Sequence, residues 1–121
     1  DRRILVIEDE AMIAMLIEDT LRADGALVAG IAATVAEARA MIGTAPCAGR
    51  FDAAVVDLNL NGESAVPILV LLRAHGIPHV VATGYGETPD VGDAPVLHKP
   101  FDEEALLRAL RPLLAERHAA G

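Results

Sequence analysis

Four segments of this chain place a charged or hydroxyl side chain directly behind an apolar run. Glu8-Asp9 follow Ile4-Leu5-Val6-Ile7, Asp57 follows Ala53-Ala54-Val55-Val56, Thr83 follows Val80-Val81-Ala82, and Lys99 follows Val96-Leu97-His98. Brought to one crevice, three carboxylates repel one another unless a cation is present. Hard oxygen ligands with few protein contacts suit Mg²⁺, which keeps several of its waters. Lysine adds a compact positive point charge, and threonine adds a hydroxyl donor. A divalent cation, an ammonium and a hydroxyl are the parts needed to hold a phosphoryl group in flight, and a carboxylate can act as the nucleophile that forms an acyl phosphate.

Each segment also has a plainer reading. Glu8-Asp9 could simply favour the start of a following helix, and an aspartate at a strand end often turns the chain. Lys99 is the only lysine, the other nine basic residues being arginine, so its position is mildly informative by itself. The joint pattern carries the weight.

That pattern requires strands that open on one crevice. Ile4–Ile7 is a continuous apolar run, as in a strand buried on both faces. Ile13, Leu16, Ile17 and Leu21 recur at helical spacing over residues 11–24, with Gly25 as the stop. Residues 27–33 form the second strand. Thr34-Val35-Ala36-Glu37 is a capping-box pattern that opens a helix to about Gly43. Residues 52–58 form the third strand. Ser64 is the expected cap of a helix to about His75, with Pro67 tolerated in its first turn. Strands over His79–Thr83 and Val96–His98 follow. Asp102 is expected to cap a last helix striped by Leu106, Leu107, Leu110, Leu113 and Leu114, which Pro112 should kink or end early. Between the last two strands, residues 84–95 hold three glycines and two prolines, which predicts a short, irregular or mobile segment instead of a regular helix.

Repeated βα units imply a parallel sheet with helices on both faces. The fold class expected is α/β, a flavodoxin-like doubly wound five-stranded parallel sheet of order 2-1-3-4-5, (βα)5 with a weak or irregular fourth helix, in one domain over 1–121. In such sheets the functional crevice lies at the carboxyl ends of the strands.

Composition narrows the classes of function. The 121 residues are 53% hydrophobic but only 2% aromatic, so the core is aliphatic. A net charge of -8 argues against direct nucleic-acid or anionic-membrane binding. The single cysteine, Cys47, excludes an internal disulfide and a cysteine-based zinc site and reads as a loop thiol. His75, His79, His98 and His118 lack ligand spacing of the H-E-x-x-H kind. No apolar run approaches the roughly 20 residues of a membrane span, and no signal peptide is visible, so a cytoplasmic location is expected.

Ile4-Leu5-Val6-Ile7-Glu8-Asp9-Glu10, Val55-Val56-Asp57-Leu58-Asn59-Leu60, Ala82-Thr83-Gly84 and Lys99-Pro100-Phe101 resemble the signature segments of response-regulator receiver domains (CheY-like). The resemblance covers nearly the whole chain. It implies that Asp57 is the phosphorylated aspartate and that Glu8 and Asp9 are the acidic pair that holds Mg²⁺, Asp9 directly and Glu8 through water. Asn59 would lend its backbone carbonyl to the metal, for which Mn²⁺ or Ca²⁺ could substitute in a crystal. Thr83 would be the switch hydroxyl, Lys99 the partner of a phosphoryl oxygen, and Lys99-Pro100 a cis peptide. There are departures. Asn61 stands where the family often has proline, and Val96 where it often has Tyr or Phe. Val81-Ala82-Thr83-Gly84-Tyr85 is similar instead to a subgroup with a Phe-Ala-Thr-Gly-x-Tyr-like stretch, with Val81 in place of the leading Phe. That subgroup often occurs as single-domain regulators beside sensor kinases. Tyr85 is the expected substitute switch.

The function implied is phosphoryl transfer from a sensor histidine kinase or phosphotransfer protein to Asp57, switching a downstream protein partner. The domain, a monomer or weak homodimer, would assist its own phosphorylation and dephosphorylation without turning over an external metabolite. Two rivals remain. An aspartyl-phosphate phosphatase typically needs a second aspartate two residues after the nucleophile; that position is Asn59, and the nucleophile would belong on the first strand. A flavin- or nucleotide-binding module can share the topology, but no G-x-G-x-x-G or P-loop pattern follows any strand.

Overall fold

The computed structural model describes residues 2–43, 51–84, 92 and 94–120, the side chains of 116–120 excepted. Its elements run β1 (Arg3–Ile7), α1 (Ala11–Ala23), β2 (Leu27–Ala32), α2 (Val35–Gly43), β3 (Ala53–Asp57), β4 (Asn59–Leu60), β5 (Glu63–Ser64), α3 (Val66–Ala74), β6 (His79–Thr83), β7 (Val96–His98) and α4 (Glu103–Ala120). The five long strands form one parallel sheet of order β2-β1-β3-β6-β7. This is the doubly wound flavodoxin-like arrangement, with β6 and β7 as the fourth and fifth strands. Among the described residues there are four helices and none between β6 and β7. Residues 85–91 and 93, where the irregular segment was expected, lie outside the described residues, as do Tyr85 and Cys47.

Side-chain alternation splits the core across the sheet, as a period of two demands. Leu5, Ile7, Ala54, Val56 and Val81 pack with Ile42, Ile68, Leu69 and Leu72 of α2 and α3. Ile4, Val6, Ala53, Val55 and Val80 pack with Ile17, Leu21, Leu106 and Leu110 of α1 and α4. β1 and β3 are buried on both faces apart from Arg3, which is why their sequences are continuous apolar runs. The outer strand β2 carries an irregularity: Ile4 pairs with Val28 but Leu5 pairs with Gly30, so Ala29 is an extra residue, a bulge on a sheet edge.

Local signals account for three helix ends. Thr34 Oγ1 accepts the Glu37 N–H at 3.0 Å, and Glu37 Oε1 reaches back to the Ala33 N–H at 2.7 Å. Asp102 Oδ1 accepts the Ala105 N–H at 2.8 Å. Gly25 closes α1 at a φ of 88°, where a Cβ would be strained.

Two expectations are corrected. Ser64 does not occupy the N-cap of α3; Ala65 does, without a side-chain cap. Ser64 belongs to β5, paired with Asn59, and its hydroxyl accepts the Val66 N–H at 3.2 Å from there. Of the two outcomes expected of Pro112, a kink or an early end, the early end does not occur, since α4 continues to Ala120. A proline inside a helix removes one hydrogen bond and costs about 3 kcal/mol. The Leu106, Leu110 and Leu114 stripe, buried against the sheet on both sides of Pro112, outweighs that, at about 1.5–3 kcal/mol for each leucine fully buried.

Candidate functional site

The sheet register brings the acidic residues together. Ile7 pairs with Val56, so the next residue of each chain, Glu8 and Asp57, lie side by side as both strands end. They share the parity of Ile4/Val6 and Ala53/Val55, and so leave on one face. Glu8 and Asp57 are 2% and 4% exposed. Carboxylate oxygens of Glu8, Asp9 and Asp57 all lie within 4.8 Å of one another, and among the described residues this is the one group of three side chains fit to hold a metal.

Lys99 reaches the same place from the far end of β7. Its Nζ donates to Asp57 Oδ2 at 2.8 Å and stands 3.0 Å from Glu8 Oε1. The second contact lacks hydrogen-bond alignment, so the buried Glu8 Oε1 has a countercharge but no donor. The backbone sets the lysine: the Lys99 N–H donates to the Thr83 carbonyl at 2.8 Å, and Lys99-Pro100 is cis. Three further carboxylate oxygens are held by main chain. Glu8 Oε2 accepts the Glu10 N–H at 3.1 Å, Asp57 Oδ1 accepts the Asn59 N–H at 3.1 Å, and Asp9 Oδ2 accepts the Asn61 N–H at 3.1 Å.

Electrostatics follow from this packing. Burial pushes the Glu8 carboxyl up to about 7, against the opposing pull of the Glu10 N–H and Lys99; the Asp57 charge adds to the rise. For Asp9, slight desolvation is outweighed by the neighbouring Glu8 carboxyl, its own amide, the Asn61 N–H and the neighbouring Asp57 carboxyl, and its carboxyl lies below the usual range. For Lys99, desolvation alone would lower the ammonium; the bond to Asp57 and the ion pairs with Asp57 and Glu8 outweigh it and hold the group above its ordinary value. With its folded value raised above the 4.5 of the free chain, Glu8 favours the fold fully below that value. The benefit is lost as pH rises through about 7. In metal-free protein, melting temperature relative to Glu8→Gln is therefore expected to fall between pH 4.5 and 8. Parallel melting curves with EDTA for the two proteins would check it, and a pH-independent difference would refute it.

Not every expected residue touches the cluster. Thr83 is fully buried and lies one residue beyond Ala82, the β6 partner of Asp57. Its hydroxyl donates to the Gly84 carbonyl at 2.9 Å, not to a carboxylate. Asn59 meets the cluster through its N–H, and its Oδ1 accepts the Gly62 N–H at 2.6 Å. His98 is exposed on β7.

One contributor escaped the sequence reading. Residues 59–64 form a two-residue-turn hairpin, β4 with β5, in which Asn61 and Gly62 have φ of 55° and 87°. Positive φ at both positions is the type I′ requirement, and Asn-Gly is its preferred pair. That dipeptide was the available signal, and its Asn61 N–H reaches the Asp9 carboxylate of the cluster.

The cluster fits a divalent cation. Three carboxylates converge, one of them with a buried oxygen that lacks a donor, and an oxygen-seeking ion such as Mg²⁺ satisfies that set. The same geometry offers Asp57 as an exchangeable oxygen nucleophile beside a fixed ammonium.

Comparison with known proteins agrees. The family profile of the response regulator receiver domain matches residues 4–111. No curated protein matches the chain. Among solved structures, the chain is similar to SdrG from Sphingomonas melonis Fr1, with 38% identity, a TM-score of 0.79, and coverage of 93% of this chain and 96% of that one. It is also similar to a CheY-like receiver domain protein from Methanospirillum hungatei JF-1, with 25% identity, a TM-score of 0.84, and coverage of 99% and 98%. The response regulator PhyR from Brucella abortus matches with 27% identity and a TM-score of 0.77 over 98% of this chain and 49% of that longer one. With its profile match, its sheet order and its acid–lysine cluster in agreement, this chain belongs to the response regulator receiver domain family of two-component signalling.

Proposed function

We propose that this receiver takes a phosphoryl group on Asp57 in a Mg²⁺-dependent reaction and thereby switches its affinity for a protein partner. The observation that carries this reading is the Lys99 ammonium bridging Asp57 and Glu8 at 2.8 and 3.0 Å while Asp9 completes a carboxylate triad. Donors of the kind receiver domains use, a histidine kinase or a phosphotransfer protein, would supply the group.

In the transfer, an Asp57 carboxylate oxygen attacks phosphorus, the P–N bond of the donor phosphohistidine breaks, and the imidazole leaves with a proton. Glu8, Asp9, Asp57 and the Asn59 carbonyl would hold the ion, and a Mg²⁺ bound there would offset charge on the transferring group. Lys99 stays as a fixed positive charge beside the acceptor. Thr83 exchanges its bond to Gly84 for one to a phosphoryl oxygen. Hydrolysis reverses the modification: water attacks phosphorus, the P–O bond to Asp57 breaks, and inorganic phosphate leaves. The added charge of about 1.5–2 units biases the surface around the β6 terminus, with Tyr85 as the proposed partner of Thr83 in the switch. The domain thus assists its own modification and turns over no external metabolite. Asn59, two residues after Asp57, offers no carboxyl for the general-acid step of a phosphatase.

Intact mass after incubation with acetyl phosphate tests the reading. A gain of one phosphoryl with Mg²⁺ and none with EDTA is expected. Equal gain in both, or none in either, overturns it.

A further inference from the structure

The β4–β5 hairpin holds the metal-ligating carboxylates from outside their own strands. Its base is anchored in the core: Leu60 is 2% exposed within the α2/α3 cluster, and the Ala65 N–H donates to the Leu58 carbonyl at 2.8 Å. Its turn is closed by Asn59 Oδ1 on the Gly62 N–H. From this frame two amides leave toward the acids, Asn59 N–H to Asp57 Oδ1 and Asn61 N–H to Asp9 Oδ2. Glu8 is nearly enclosed and faces Lys99, whereas Asp9 follows it on the half-exposed loop before α1. Among the described residues, the Asn61 N–H is the one backbone donor from outside that loop that reaches the Asp9 carboxylate.

We propose that the Asn61-Gly62 turn is a positioning device for the cation site. By fixing the Asn61 amide, it presets the Asp9 carboxylate toward Glu8 and Asp57. Preset ligands bind more tightly because less conformational freedom is lost on binding, and loss of such an outer contact typically costs about 10–100-fold in metal affinity. The proposal rests on the Mg²⁺ reading given above.

Gly62 is the place to test it. At φ 87° an L-residue is strained, and a Cβ there would meet nothing within 4 Å. A Cβ there therefore acts through turn conformation and not through a clash. Valine, β-branched, tolerates positive φ poorly, whereas asparagine visits it readily. The measurements are calorimetric Mg²⁺ titration and the Mg²⁺ dependence of acetyl phosphate-driven mass gain. Gly62→Val is expected to weaken Mg²⁺ binding about tenfold, with phosphorylation at saturating Mg²⁺ close to wild type. Gly62→Asn is expected to restore wild-type affinity. Gly62→Ala replaces Gly62→Val in the comparison if the valine variant does not fold. Unchanged Mg²⁺ affinity in the folded variant overturns the positioning role alone. So does a phosphorylation defect that saturating Mg²⁺ leaves in place. Wild-type protein that takes up no Mg²⁺ overturns the metal reading and this inference with it.

Discussion

Asp57→Asn is expected to reduce phosphoryl uptake from acetyl phosphate and Mg²⁺ below detection, with the fold intact. The carboxamide keeps the shape of the side chain, so the Asn59 N–H can still find an oxygen acceptor. It removes the anionic oxygen proposed to attack phosphorus, and an amide is a poor nucleophile. The substitution also leaves Lys99 with Glu8 as its countercharge and relieves the repulsion between two buried carboxylates. Melting temperature in EDTA is therefore expected to hold or rise slightly, while Mg²⁺ affinity drops with the lost ligand. Intact mass and melting curves on the same preparations separate these effects. A phosphoryl group on the folded variant would move the acceptor to another residue.

Lys99→Met is expected to have the largest effect on metal-free stability among the site substitutions. Methionine replaces the stem but not the ammonium. Glu8 and Asp57 then face each other, both nearly enclosed, with no countercharge. Breaking a buried ion pair by removing one partner typically costs about 3–5 kcal/mol. Here the lysine side chain is 19% exposed, and Glu8, already pushed up to about 7, can take up a proton. These reduce the expected cost to about 2–3 kcal/mol, or about 10 °C in melting temperature for a domain of this size. Loss of the ammonium, which holds the Glu8 value down, raises that value further, so the stability loss is expected to grow as pH rises from 6 to 8. Mg²⁺ should recover part of it, since the ion supplies the missing positive charge. Phosphoryl uptake should slow about 10²-fold or more with one electrostatic contact gone. Equal melting of variant and wild type in EDTA at pH 8 would show that the lysine is not the counterion of the cluster.

Much of this site was legible because sheet geometry converts sequence position into space. Apolar runs ending in Glu8, Asp57, Thr83 and Lys99 mark strand termini, and parallel strands put those termini at one rim. What stayed hidden depended on interactions with short local signals. The strands beside Asn61-Gly62 are two residues each, too short for the alternation that marks a hairpin, so residue types alone favour Ser64 as a helix cap. Pro112 is the opposite case: its local cost argues for an early helix end, but docking of Leu110 and Leu114 exceeds it. That the Thr83 hydroxyl rests on Gly84, and that Lys99 touches both acids at once, are matters of side-chain rotation that residue types leave open.

The Thr83 hydroxyl has one proton and, on the proposed phosphorylation of Asp57, would have two claimants. Turning toward the phosphoryl oxygen forfeits the bond to Gly84, worth about 0.5–1.5 kcal/mol, and gains a charge-assisted one of about 1.5–3 kcal/mol. The difference is about 1 kcal/mol, which tilts a two-conformer equilibrium roughly fivefold. Acting through this single rotor, the modified protein would remain a mixture of both conformers. A sharper response requires a partner that itself prefers one of them.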